Sequence, residues 1–461
     1  MERSWDEDLP DCSYEQNQPS FIKPTSPTPN HALYLSNIDD QKFLRFSIKY
    51  LYLFRNSVTI DLLKSSLSRV LVDYYPLAGR LKPLHLSHEE DFHEHEKLQV
   101  DCNGQGAVFA EAFMDISVDH FLQISNKPNK SWRKLLFRVD ARTFVETPPL
   151  VVQVTKLRCG GMIMCTAINH CLCDGVGTSQ FLHAWGHHIT KTFDTPPPPP
   201  PFHSRHLFKP RSPSSHLPPI LHPSFTKNPN KTNFSLNRYL QSQPLVPASL
   251  TYTTSHTLRL KTRCTPSIKC TTFEVLASHT WRSWVKSLDL EPCQEVKLLF
   301  SMNIRNKVKP EIPKGYYANG FVLACAKTTV QELVDNNLYY VVKLVQEAKS
   351  AINDDCVNGI VEALEDKSVE TDLNASLIIS QWSKLGLEDL DLGQGKPLHM
   401  GPLTSDIYCL FLPVMDDPNA IRVLVSLPKS VVGKFEYYMN EFLDTNKVEV
   451  NGNHEKENLL L

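Results

Sequence analysis

The chain has 461 residues, of which 41% are apolar and 21% charged, and a formal net charge of −2. This is the composition of a globular protein, long enough for two domains of roughly 200 residues each. Near-neutral charge excludes the electrostatic footprint of a nucleic-acid or anionic-membrane binder, and no apolar run approaches the ~20 residues that span a bilayer.

The opening stretch MERSWDEDLPDCSYEQ is acidic and polar, where a secretory signal would be basic and then apolar. The 12 cysteines are scattered without a repeating framework, so they read as reduced thiols and the protein as cytoplasmic. LRFSIKYLYLF (44–54) alternates well enough for a buried strand. SVTIDLLKSSLSRVLVDYY follows with Leu63, Leu67, Val70, Leu71 and Tyr74 on one helical face, and stops at the turn around Pro76. HLSHEEDFHEHE (85–96) carries four histidines among acids. Without zinc-like spacing it reads as a solvated loop. PLVVQVTKL and MIMCTAINH are adjacent strands joined by a tight turn at RCGG. VGTSQFLHAWGHHIT is a helix beginning near Gly175, with Val176, Leu182, Trp185 and Ile189 at helical spacing.

From FDTPPPPPPF to about residue 230 the chain is rich in Pro, Ser and His, which predicts an extended linker. Three parts result: a domain over 1–192, a linker over 193–230 and a domain over 231–461. The second half continues with a helix at 271–288 and strands at 295–305 and 320–330. A helix at LYYVVKLVQEAKSAIND and the late strands DIYCLFLPV and AIRVLVSLP follow. This mixture predicts an α/β protein with mixed sheets. No G-x-G-x-x-G is present, and GQGKP (393–397) lacks the spacing of a phosphate-binding loop.

INHCLCDG (168–175) is the stretch with chemistry. His170, Cys171 and Cys173 do not make a metal site, because neighbouring side chains on a strand or tight turn point to opposite faces and no second ligand pair stands elsewhere. A Cys–His nucleophile is disfavoured because adjacent residues rarely place thiol and imidazole in reach. The remaining reading is a general base. His170 ends a strand, and an imidazole of ordinary pKa about 6.5 is mostly neutral near pH 7. Asp174 either orients that imidazole or turns away and fixes the turn through an ion pair. Gly175 frees the backbone for the turn into the helix.

HCLCDG resembles the H-x-x-x-D-G signature of the plant BAHD acyltransferases. The likeness extends in order through YYPLAGRL (74–81), LQVDCNGQGAVFAEA (98–112), SRHLFKPR (204–211), TTFEVLASHTWR (271–282), NIRNKVKPEIPKGYYANGF (303–321) and DLGQGKP (391–397). It covers nearly the whole chain. The last segment stands where the family has D-F-G-W-G, with Leu392 and Gln394 replacing Phe and Trp.

The resemblance implies two chloramphenicol-acetyltransferase-like domains joined by a long crossover loop, with a channel between them and His170 near its middle. It implies transfer of an acyl group from acyl-CoA, a co-substrate, to a small-molecule alcohol, with no bound cofactor and no metal, in a monomer. An amine acceptor, or a non-catalytic accessory role beside a lipid-elongation enzyme, is the alternative. By the same resemblance Asp391 joins His170 in the catalytic set, and with Gly393 and Gly395 it holds the local turn. Gln394 and Asn319 are candidates for the channel or oxyanion. Asp174 would pair with an arginine, Arg305 being the candidate, while a solvated strand-end charge is the other reading of Arg305. LLFSMNIRNKVKP and IISQWSKLGLEDLDLG look most like the alcohol acyltransferases and the hydroxycinnamoyl transferases of fatty alcohols and ω-hydroxy acids. This suggests an apolar acceptor with an acetyl, aliphatic or hydroxycinnamoyl donor.

Overall fold

A computed structural model describes residues 8–443 except 16–17, 85–95, 126, 191–197, 212–220, 228–239, 241, 265, 267 and 405–408. The histidine-rich loop, save its last residue, and parts of the proline-rich linker therefore lie outside the described residues.

Two mixed sheets form the frame. The first runs in the order Ser13–Tyr14, Ala107–Met114, Leu150–Leu157, Met162–Asn169, Ser47–Phe54, His399–Pro402, with Ser20–Ile22 also pairing with Ala107–Met114. Its pairs are antiparallel except Ala107–Met114 with Leu150–Leu157. The second runs Leu245–Tyr252, Asp417–Pro428, Cys409–Val414, Ser376–Gln381, Glu295–Asn303, Phe321–Thr329. Here Ser376–Gln381 pairs in parallel on both sides. The strands at PLVVQVTKL and MIMCTAINH pair antiparallel from Leu150↔Ile168 to Lys156↔Met162 across their short turn.

Helices cover the sheets where their apolar stripes demand it. Ile60–Asp73 buries Leu63, Leu67, Val70 and Leu71, and packs on Gly175–Thr190, which buries Phe181, Leu182, Trp185 and Ile189. Val176, by contrast, is only half-buried. Each fully buried Leu or Phe contributes roughly 1.5–3 kcal/mol. Trp185 keeps its indole N–H satisfied by donating to Ser66 Oγ at 2.9 Å. In the second half, Thr272–Ser287 is capped by Thr271 and Glu274 bonding reciprocally, and it buries Leu276, Trp281 and Trp284.

Segments of the chain cross between its two halves. His399–Pro402 leaves the second half and becomes the edge strand of the first sheet, with Met400 opposite Tyr52. Trp382, Leu387, Leu390 and Leu392 join the first-half core with it. In the other direction, Ile38 enters the second-half core, Phe43 packs on Leu299, Leu323 and Ile378, and Lys42 pairs with Glu370. HMGP has no strand pattern of its own. Its hydrogen-bond partners lie far away in sequence, and only the assembled sheet edge supplies them.

The crossover segment also reaches inward. Phe202 N donates to the Gly315 carbonyl at 2.9 Å. Three residues later Arg205, with no side-chain exposure, pairs at 2.9 Å with an equally buried Asp39. Arg205 Nη2 further donates to the Leu172 carbonyl at 2.7 Å. Removing one partner strands a buried charge, so Arg205→Met is expected to lower stability by about 3–5 kcal/mol, read as a shift of the chemical denaturation midpoint.

Candidate active site

The strand Met162–Asn169 is buried along its whole length and delivers His170 at its end. The His170 N–H donates to the Phe46 carbonyl at 2.9 Å, which carries the ladder one residue further. Asn169 Oδ1 then accepts from Cys171 N at 3.0 Å and turns the chain. Burial pushes the Cys171 thiol well above its ordinary pKa and that of Cys173 up to about 12, so both are neutral thiols rather than ligands. Among the described residues no group of three His, Cys, Asp or Glu side chains could hold a metal ion.

Asp174 turns away from the imidazole. Its Oδ1 accepts from Gly177 N at 2.9 Å and caps the helix Gly175–Thr190. Both oxygens accept from Arg305, Nη1 to Oδ2 at 2.9 Å and Nη2 to Oδ1 at 3.1 Å, and Oδ2 also accepts from Gly320 N at 2.9 Å. Burial alone would raise the carboxyl's pKa, but Arg305 and these donors outweigh it and hold Asp174 below the usual carboxylate value. Arg305 goes on to donate to the Ala318 carbonyl at 2.7 Å and the Tyr316 carbonyl at 3.2 Å. The ion pair therefore ties the turn after His170 to the loop 316–320.

Glycines make that approach possible. A Cβ at Gly177 would stand 1.8 Å from the Tyr317 carbonyl oxygen, and one at Gly320 2.6 Å from the Arg305 guanidinium carbon. Gly175 differs from its expected role. Its φ lies outside the left-handed region, and a Cβ would meet only the tip of the Leu385 side chain at 2.7 Å, so no unusual turn requires a glycine there.

The loop brings Asn319, fully buried, against His170. Asn319 Nδ2 donates to the His170 carbonyl at 2.8 Å and to Asp39 Oδ1 at 2.9 Å. Both amide protons are thereby used, so Asn319 Oδ1, 3.2 Å from His170 Nδ1, is the acceptor of an Nδ1–H. The imidazole is held in the tautomer whose lone pair is on Nε2. Burial depresses its pKa below 6.5, against opposing contributions from Asp174, Asn319 and Asp39, which keeps the ring neutral.

The half-buried ring lies edge-on to Phe46 at 5.2 Å between centroids and tilted toward Phe321 at 5.8 Å. It lines a cavity of about 490 Å³ built from both halves of the chain. Ile48 and Tyr50 come from the first sheet, and Leu323, Ile378 and Trp382 from the second half. Tyr50 stacks on Trp382 at 4.0 Å. A neutral imidazole with a free Nε2 beside an apolar cavity can accept a proton from a bound hydroxyl.

The DLGQG segment does not join this site. Asp391 is exposed, and its Oδ1 accepts from Gly393 N at 2.7 Å and Gly395 N at 3.0 Å. Gly393 and Gly395 have φ of +88° and +84°, which other residues rarely adopt. Asp391 thus holds this turn and stands outside the cavity that His170 lines. Gln394 is exposed outside the cavity, and both side-chain amide protons of Asn319 are already committed to His170 and Asp39. Two residues at the site were missed from sequence, Asp39 and Arg205. Asp39 accepts from Asn319, Ser36 and Arg205, but SNIDD and SRHLF carry no spacing that links them.

Two mixed-sheet domains sharing one cavity with a single imidazole on its wall define the class: a two-domain acyltransferase. The model of the Transferase family matches residues 14–442, and the chain belongs to that family, the BAHD acyltransferases. It is 33% identical over 437 residues to an omega-hydroxypalmitate O-feruloyl transferase of Arabidopsis thaliana, covering 91% of each chain. Over 435 residues it is 33% identical to a fatty alcohol:caffeoyl-CoA acyltransferase of the same plant, covering 92% of this chain and 97% of the relative. In fold it resembles vinorine synthase, with a TM-score of 0.70 at 18% identity over 93% of this chain and 98% of that one. It also resembles F. graminearum TRI101 complexed with coenzyme A and deoxynivalenol, with a TM-score of 0.67 at 13% identity over 88% and 96%. Among the described residues no helix is long and apolar enough to cross a membrane.

Asn319→Ala removes the acceptor that fixes the ring. It is expected to lower kcat about 10²-fold while changing KM little, as steady-state kinetics on purified, folded protein will show.

Proposed function

We propose that the enzyme transfers an acyl group from an acyl-CoA to the hydroxyl of an apolar alcohol, with His170 as general base and both substrates bound at once. The observation that carries this reading is the His170 ring itself: Nδ1–H is committed to Asn319 Oδ1, and Nε2 is left free at an apolar cavity. The names of the similar proteins support an alcohol acceptor and a hydroxycinnamoyl or other acyl-CoA donor, and the complex of TRI101 supports coenzyme A as the carrier.

Nε2 takes the proton as the alcohol oxygen attacks the thioester carbonyl. The tetrahedral oxyanion needs hydrogen-bond donors, and Ser301, Ser380 and Thr404, each bearing a hydroxyl, are among the residues that line the cavity. Collapse breaks the carbon–sulfur bond, and the CoA thiolate recovers the proton from Nε2. No acyl-enzyme is required, because proximity in one cavity supplies much of the rate. Acyl-CoA enters from one face and acceptor from the other. A cytosolic monomer completes the proposal, since one chain contributes both walls of the site and the described cysteines are free thiols.

His170→Ala is expected to lower turnover at least ~10²-fold with the fold intact, measured as free-thiol release from a panel of acyl-CoAs and alcohols. Near-normal release would refute the base role. If the wild-type protein released no CoA with any pair but captured an elongation enzyme, the accessory role would replace this one. The pH profile gives a second check. A pKa depressed below 6.5 means that the base is lost only on further acidification. The acidic limb of kcat/KM should therefore fall below pH 6.5, and a limb above it would contradict a buried, neutral base.

A further inference from the structure

A second hollow, of about 330 Å³, lies outside the cavity that His170 lines, and no residue lines both. Three segments enclose it. The helix Gly175–Thr190 presents Val176, Ser179 and His183, which its turns bring to one face. Pro198 and Pro199 of the crossover form a second wall. Lys384 and Leu385, just after Trp382, form the third. The volume is that of a site for a small molecule.

The apolar part of the lining comes from Val176, the two prolines and Leu385. The Ser179 hydroxyl is already spent, since Oγ donates to the Leu385 carbonyl at 2.6 Å. Two polar groups are not. His183 Nδ1 stands 2.9 Å from the Ser179 carbonyl oxygen, which can only accept, so Nδ1 carries the hydrogen. In a neutral ring the lone pair is then on Nε2, which has no partner among the described residues. Lys384 is exposed, and among the described residues its ammonium has neither an ion pair nor a hydrogen bond.

The hollow adjoins the reacting cavity without opening into its lining. Leu385 N donates to the Trp382 carbonyl at 3.3 Å, and Trp382 stands on the cavity wall. A molecule packed against Leu385 therefore bears on the far side of that wall.

Each feature selects one part of a ligand. The ammonium calls for an anion, and Nε2 calls for a hydroxyl that donates to it. Between them the apolar walls suit a rigid ring, which loses less freedom on binding than an aliphatic chain does. We propose that this hollow is a second ligand site, which takes a phenolic carboxylate. The ring lies between the prolines and Leu385, the acid group pairs with Lys384, and the phenol O–H donates to His183 Nε2. A fatty acid leaves the imidazole unmatched, and a simple phenol leaves the lysine unmatched. The site does not depend on the acyl-transfer reading.

Calorimetric titration at pH 8, where an ordinary imidazole is neutral, tests it. The probe is 3-(4-hydroxyphenyl)propanoate. Its controls are 3-phenylpropanoate, which lacks the hydroxyl, and the methyl ester of the probe, which lacks the charge. Wild type should bind the probe about 3- to 10-fold more tightly than 3-phenylpropanoate. Against the ester the preference should be about 2- to 5-fold, because an exposed ion pair is weak. His183→Leu should abolish the first preference and keep the second. Lys384→Met should do the reverse. Neither side chain is in a packed core, so both variants should fold, as their melting curves will show. Excess coenzyme A should leave probe binding unchanged. Absence of either preference in wild type, or a preference that survives its matching substitution, overturns the proposal. Displacement of the probe by coenzyme A overturns it too, and makes the hollow a mouth of the reacting channel.

Discussion

The bidentate pair between Asp174 and Arg305 is the constraint on which the site depends. It joins the turn that follows the His170 strand to the loop that carries Asn319, and so fixes one half of the molecule against the other at the point where chemistry is to occur. Both partners are nearly buried, Asp174 at 7% and Arg305 at 14% side-chain exposure, where a fork-to-carboxylate geometry is strong and its loss severe. A lysine at 305 would supply charge but not the fork that also donates to the Ala318 and Tyr316 carbonyls. Asp174 acts on the imidazole only through space, and the pair places the amide that hydrogen-bonds Nδ1.

A second layer of polar contacts builds on that anchor. Asp39 accepts from Asn319, and Arg205 holds Asp39 while also binding the carbonyls of Cys171 and Leu172. A network of this kind is costly if half satisfied and specific when complete. Here it draws on four stretches far apart in sequence: the segment before the first long strand, the turn after His170, the crossover and the loop 316–320. The result is an imidazole of one tautomer, depressed pKa and fixed orientation beside apolar walls, which suits a base that must work without becoming permanently charged.

The exchange of segments between the halves has a comparable effect. With His399–Pro402 completing the first sheet and Phe43 packed in the second half, neither half forms its core from its own residues alone. The cavity is then a property of the pairing, lined from both sides and unable to open widely without breaking sheet hydrogen bonds.

Much of this was legible in the residues. The apolar periods at 44–54, 60–73, 150–157, 162–170 and 271–288 specify strands and helices because burial on one face dictates them. The H-x-x-x-D-G spacing, with the segments that accompany it, is enough to expect the family and to single out His170. Periodicity could not reveal the HMGP strand, since four residues with no alternation become a strand only where an edge awaits them. Nor could it place Asp391 outside the cavity that His170 lines, because a carboxylate that holds a turn and one that lines a cavity look alike in sequence. The pairing of Asp39 with Arg205, the direction in which Asp174 points and the tautomer of His170 were all decided by tertiary structure, for one reason: hydrogen bonds and ion pairs between distant segments depend on where the packed sheets bring them, and no local pattern of residues encodes that distance.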